Sequence, residues 1–135
     1  MRRLNAVALL WTLTSLTACG LFDSGVPWRR GPFQLLWIDL PDRVTLSYDV
    51  GNGGSIGLVD YTVYAVGSDA KHIVVKQHPR GEKSITDFYI VDVKSSALPL
   101  HPERAVTGPL KQAQFDEMAR LNALPRFTTV LETLQ

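Results

Sequence analysis

The chain has 135 residues, 45% of them hydrophobic and 20% charged, with 14 Lys and Arg against 13 Asp and Glu. That sizes it for one globular domain and excludes disordered, collagen-like and polybasic nucleic-acid-binding classes. A single cysteine closes no internal disulfide and supplies no cysteine-based zinc site, which removes stapled secreted scaffolds and zinc fingers.

The first twenty residues carry the most specific signal. Met1, Arg2 and Arg3 make a short positive segment, Ala6 to Leu16 is uncharged and mostly apolar, and Leu16-Thr17-Ala18-Cys19 ends the run with small residues before the cysteine. This pattern resembles a bacterial lipoprotein signal peptide with its lipobox. The resemblance implies that the Cys19 thiol receives a diacylglyceryl group, that residues 1–18 are cleaved, and that the freed amine is acylated. Each buried methylene stabilises membrane association by about 0.8 kcal/mol, one chain anchors only marginally, and two or more hold a protein stably. Two other readings stand beside this one. Leu4 to Phe22 lacks charge and is long enough to span about 30 Å of hydrocarbon, although Asn5, Thr12, Thr14, Ser15, Thr17 and Gly20 interrupt it; or the segment is an ordinary secretory peptide whose cysteine is incidental.

Removal of residues 1–18 takes Arg2 and Arg3 with it and leaves 117 residues, 12 basic against 13 acidic, a formal charge of −1. No basic excess remains to hold nucleic acid or anionic lipid. Gly20, rather than Asp, follows the cysteine, and in a Gram-negative host the resemblance then implies the outer membrane, with the domain facing the periplasm. Residues 19–32 contain Gly20, Gly25, Pro27 and Gly31 without a clear period and suit a lipid-anchored tether. Trp28, Arg29 and Arg30 in that stretch fit either the lipid interface or the edge of the domain.

Residues 33–135 read as a single small domain. Phe33 to Leu40 is an evenly apolar strand, and Val44 to Val50 alternates, with Val44, Leu46, Tyr48 and Val50 on one face. Leu58 to Val66 reads as the next strand, followed by a turn at Gly67-Ser68-Asp69-Ala70 and a β-branched strand from His72 to Gln77. A turn at His78-Pro79-Arg80-Gly81 leads to Ser84–Val93. The connections are too short for crossover helices, which predicts an antiparallel meander. Lys94 to Val106 is irregular. A helix is expected next, capped by Thr107 or Gly108 with Pro109 at its first position, burying Leu110, Ala113, Met118 and Leu121 and stopping at Pro125. Thr128 to Leu134 fits a brief final turn or an edge strand. The expected fold is α+β: an antiparallel β-meander of about five strands with one C-terminal helix packed on the sheet.

Chemistry-bearing motifs are sparse. Gly53-Gly54-Ser55-Ile56-Gly57 matches a nucleophile elbow, and Asp60 or Asp92 and then His101 follow in triad order. That elbow needs a strand before it and a helix after it, whereas Leu58 onward alternates as a strand, so the expectation is a glycine-rich hairpin loop and no catalytic residue. The same glycines lack phosphate-loop spacing. His72, His78 and His101 lack zinc-site spacing, and Asp49, Asp60 and Asp69 lie too far apart for a calcium loop, so no metal and no cofactor is expected. Asp116 and Glu117 diverge by 100° on a helix and read as a solvated face.

One segment is unusually basic. Lys71, His72, Lys76, Arg80 and Lys83 surround a single acid, Glu82, and make a possible partner-binding hairpin; the competing reading is that they protect an exposed edge strand. The segments Thr62–Pro79, Asp87–Asp92 and Thr107–Phe115 resemble a group of small bacterial lipoproteins of unknown function, in which a strand–turn–strand precedes a Gly-Pro-Leu-initiated helix. That resemblance implies the fold and no catalytic residue. The function expected is a non-enzymatic, lipid-anchored envelope protein whose domain binds another envelope component, with a protein partner and no nucleic acid. The alternative is an immunity or inhibitor lipoprotein that neutralises a toxin or lytic enzyme.

Overall fold

A computed structural model of the chain describes residues 23–135. Two antiparallel sheets lie face to face, and one helix covers the outer side of the second. The first sheet holds β1 (Ser24–Arg30), β2 (Phe33–Ile38), β3 (Thr45–Gly51) and β4 (Gly54–Val59) in chain order. The second holds β5 (Val63–Ser68), β6 (His72–Gln77), β7 (Asp87–Asp92), β8 (Val106–Leu110) and β9 (Thr129–Val130) in the spatial order β8-β7-β6-β5-β9. The helix, α1, spans Gln112–Asn122.

Strand periodicity sorts the interior into two cores. Phe33, Leu35, Leu46 and Tyr48 point from the first sheet toward Val63, Val66, Ile73, Val75 and Val91 of the second. On the other side of the second sheet, Val74, Phe88 and Ile90 meet Phe115 of α1, with Met118, Ala119 and Phe127 packed around them. Alternate residues of β6 and β7 therefore serve different cores, as a pleat with both faces covered requires. Among the described residues, both cores draw on side chains between Trp28 and Leu134.

Three expectations need correction. The single five-strand meander is two sheets of four and five strands, because the run from Leu58 to Val66 is broken at Asp60-Tyr61-Thr62, where the chain passes from one sheet to the other. The passage is pinned: Val63 N–H donates to the Val44 carbonyl at 2.8 Å, Thr62 and His78 exchange backbone bonds at 2.9 and 2.8 Å, and Thr62 Oγ1 donates to the Asp42 carbonyl at 2.6 Å. Alternation survives on both sides of the break, which hides it from a periodicity reading. A bulge between Val63 and Ala65 then lets Val63 and Val66, three residues apart, face the same core.

The second correction concerns residues 24–30, expected within a tether. They form β1, which pairs with β2 from Ser24↔Ile38 to Arg30↔Phe33. Pro27 sits at the register shift between Gly25 and Trp28 on this outermost strand, where its missing N–H breaks no ladder bond, and Trp28 packs inward on the core. The rest of the expected tether, with Cys19 and the signal segment, lies outside the described residues.

The third is the helix start. Val106–Leu110 pairs with β7 as the outer strand β8, so Pro109 occupies an edge strand and not the first helical turn. The helix begins after Lys111, whose N–H donates to the Gln114 side chain at 2.8 Å, and ends at Ala123 in the left-handed region (φ 48°). The segment 128–134, for which a turn and an edge strand were both open, is both: β9 on the edge of β5, then a 3-10 turn over Glu132–Leu134. Just before it the chain crosses β5 so closely that a Cβ on Gly67 would lie 1.8 Å from the Arg126 carbonyl oxygen.

Candidate binding site

At one end of the sandwich lies a cleft of about 570 Å³. The β1–β2 turn at Gly31 and Pro32 forms one lip, and residues 93–99, which leave β7, form the other. Phe33 and Tyr48, 3% and 8% exposed, pack edge to face with ring centroids 5.1 Å apart and make an apolar floor that is also the end of the inter-sheet core. Val93, Leu98 and Pro99 make the wall.

Two cations stand at the rim, Arg30 and Lys94, and no carboxylate lines the cleft. The ion pairs among the described residues are Arg29–Asp49, His101–Glu103, Lys111–Asp87 and Arg120–Glu117, so neither rim cation is committed to an acid. The acids close by are occupied by backbone. Asp69 accepts from the N–H groups of Lys71 and His72 at 2.8 Å each; these bonds hold its carboxyl below the usual range, with His72 and Arg30 adding weaker attraction. Asp92 accepts from the Lys94 backbone N–H at 2.9 Å, which fixes the chain that carries the lysine.

Two smaller recesses have a different character. Beneath the C-terminal turn, a cavity of about 80 Å³ touches His78, Thr62, Lys83 and Leu134. His78 stacks on Tyr64 at 4.1 Å and donates from Nδ1 to the Ile85 carbonyl at 2.8 Å, and its buried Nε2 has no protein partner. That volume is a few water molecules' worth. The outer face of the first sheet carries a polar groove of about 370 Å³, in which Arg29 donates to Asp49 at 3.2 Å and to Gln34. Its polar groups are largely engaged with one another.

The five basic-hairpin residues do not form one surface. Lys71 lies in the turn before β6, and Arg80 and Lys83 lie beyond its other end. His72 and Lys76 do share parity on β6, but on the helix side of the sheet, where Lys76 Nζ sits 4.8 Å from the Phe127 ring centroid and 5.8 Å from that of Phe88. Lys83 donates to the Gln135 carbonyl at 3.1 Å. The edge-protection reading fails as well: β6 is the central strand of its sheet. Both edges of β6 are paired, with β5 on one side and β7 on the other.

Ser55 lies on β4 opposite Asp49, within a hairpin and with no helix behind it. His101 is half-exposed and 3.5 Å from Glu103, on the segment after β7. Among the described residues no three His, Cys, Asp or Glu side chains are grouped to hold a metal ion. The cleft was not recognised as one site from the sequence, because its residues come from four separate stretches that share no motif, and Val93, Lys94, Leu98 and Pro99 meet the Phe33–Tyr48 pair only when the sheets stack. No protein-family profile, curated protein or solved structure matches the chain.

Proposed function

We propose that this protein is a non-enzymatic, lipid-anchored component of the bacterial envelope, outer-membrane and periplasm-facing in a Gram-negative host, whose domain binds another envelope component. The observation that carries the proposal is the box Leu16-Thr17-Ala18-Cys19, which follows a positive segment and an apolar run and stands four residues ahead of Asp23. The fold adds geometric support. Ser24, at the start of β1, is paired with Ile38 at one end of the first sheet, while Arg30 and the cleft are at the other end; six residue rises separate them by about 20 Å. A domain tethered through Cys19 would thus carry its cleft on the side away from the attachment point, open to a periplasmic ligand.

The immunity or inhibitor alternative relied on a basic hairpin inserting into an acidic cleft. Lys71, Arg80 and Lys83 lie beyond the two ends of β6 and Lys76 on its helix side, which supports that reading less well than the first, and Arg30 and Lys94 offer cations at the cleft.

The test is metabolic labelling of the full chain in a Gram-negative host with an alkyne analogue of palmitate. The wild type is expected to carry label, lose residues 1–18 and fractionate with membranes, and Cys19→Ala to lose label and to keep residues 1–18. Unlabelled wild-type protein, or a Cys19→Ala variant processed and retained as the wild type is, would overturn the proposal.

A further inference from the structure

We propose that the cleft between the sheets takes a small ligand joining an acid group to an apolar body, with the acid held between Arg30 and Lys94 and the body laid on Phe33 and Tyr48. The inference deepens the reading of this domain as a binding module and is independent of the anchor at Cys19.

Three features argue for this chemistry. A volume of about 570 Å³ falls within the range of roughly 300–1,000 Å³ that holds small ligands. The floor is aromatic and continuous with the core, so it is rigid before any ligand arrives and costs little ordering on binding. The rim carries two cations without a lining carboxylate, and neither makes an ion pair. A cationic ligand would be repelled, a neutral apolar one would leave both charges unused, and a small anion without a body would forgo the floor. An amphiphilic acid uses both halves. Arg30 is fixed by the Arg30↔Phe33 pairing at the hairpin turn and Lys94 by the bond from its N–H to Asp92, so the backbones that present the two charges are held in place. Guanidinium and ammonium suit carboxylate and phosphate alike, and the two head groups are separated by experiment.

The probes are dodecanoate, dodecyl phosphate, dodecanol and acetate, each below its aggregation concentration, titrated into residues 23–135 and followed by amide chemical shifts. Dodecanoate or dodecyl phosphate is expected to move the signals of Gly31, Phe33, Tyr48, Lys94 and Leu98 selectively, and whichever binds tighter identifies the head group. Dodecanol is expected to bind at least tenfold more weakly than the better acid, and acetate to leave these signals in place. Arg30→Ala with Lys94→Ala is expected to weaken the better acid at least tenfold. Dodecanol binding as tightly as both acids, shifts centred elsewhere, or undiminished binding by the double variant would overturn the inference. The comparison of acid with alcohol involves no side-chain substitution. The assay contains no Cys19, so its failure is distinct from failure of the lipid-anchor proposal.

Discussion

Asp69 shows how a single side chain organises a turn. Its carboxylate replaces two missing backbone acceptors, those of the Lys71 and His72 N–H groups, and these bonds keep its proton affinity low in the fold. A carboxyl whose folded pKa lies below its unfolded value contributes stability that is present above the unfolded value, about 4, and is lost as pH falls through the folded value. Asp69→Asn is therefore expected to be less stable than the wild type at pH 7, with the gap closing as pH drops below about 4. Urea midpoints of the two proteins across pH 2–7 measure this, and a gap independent of pH would contradict it. That Gly67-Ser68-Asp69-Ala70 turns was legible, since the composition is a turn's own. The role of Lys76 was not: its place over Phe88 and Phe127 depends on a segment fifty residues later in the chain that lies across the sheet.

Elements were readable to the degree that local period decides them. β6 matches the β-branched run at His72–Gln77, and β3 presents Leu46 and Tyr48 to the core as its alternation requires. Val50, expected on the same face, is exposed, because β3 extends past the last β2 partner, Phe33↔Tyr48. The helix was legible in kind and its buried face in part: Met118 packs on the core as expected, while Ala113 is exposed. Leu110 belongs to β8 and Leu121 is 65% exposed, whereas Phe115 is 6% exposed and stacks on Phe88 at 4.7 Å. Phe115 is the one fully buried residue of α1, with Met118 and Ala119 beside it at the helical spacings of three and four. Phe115→Ala is expected to cost about 3–5 kcal/mol, and Leu121→Ala less than about 0.5 kcal/mol. Chemical denaturation monitored by circular dichroism reads both, and comparable losses would show that α1 docks differently.

At the scale of the molecule, the second sheet is shared property. Its inner side chains complete the sandwich core and its outer ones the core under α1, so neither layer can open without exposing apolar surface on β5, β6 and β7. Both tryptophans of the described residues, Trp28 and Trp37, lie in the first sheet, on the opposite side of the second sheet from α1. Tryptophan fluorescence and helical ellipticity at 222 nm are therefore expected to give coincident urea transitions for residues 23–135, as one cooperative unit requires. Two separated transitions would mean that the layers hold independently. The cleft belongs to this scale too, since Lys94 joins Arg30, Phe33 and Tyr48 only through stacking of the sheets.

The order of side chains alone determined where most strands run, which residues turn, and that a helix precedes Pro125, because these depend on neighbours two to four positions away. Tertiary packing alone decided that Asp60-Tyr61-Thr62 divides one alternating run between two sheets, that Pro109 sits in an outer strand, that β6 is central, and that two cations share a rim. Each of those outcomes depends on which distant strand covers a given face, and an alternating pattern states only that a face will be covered, not by what.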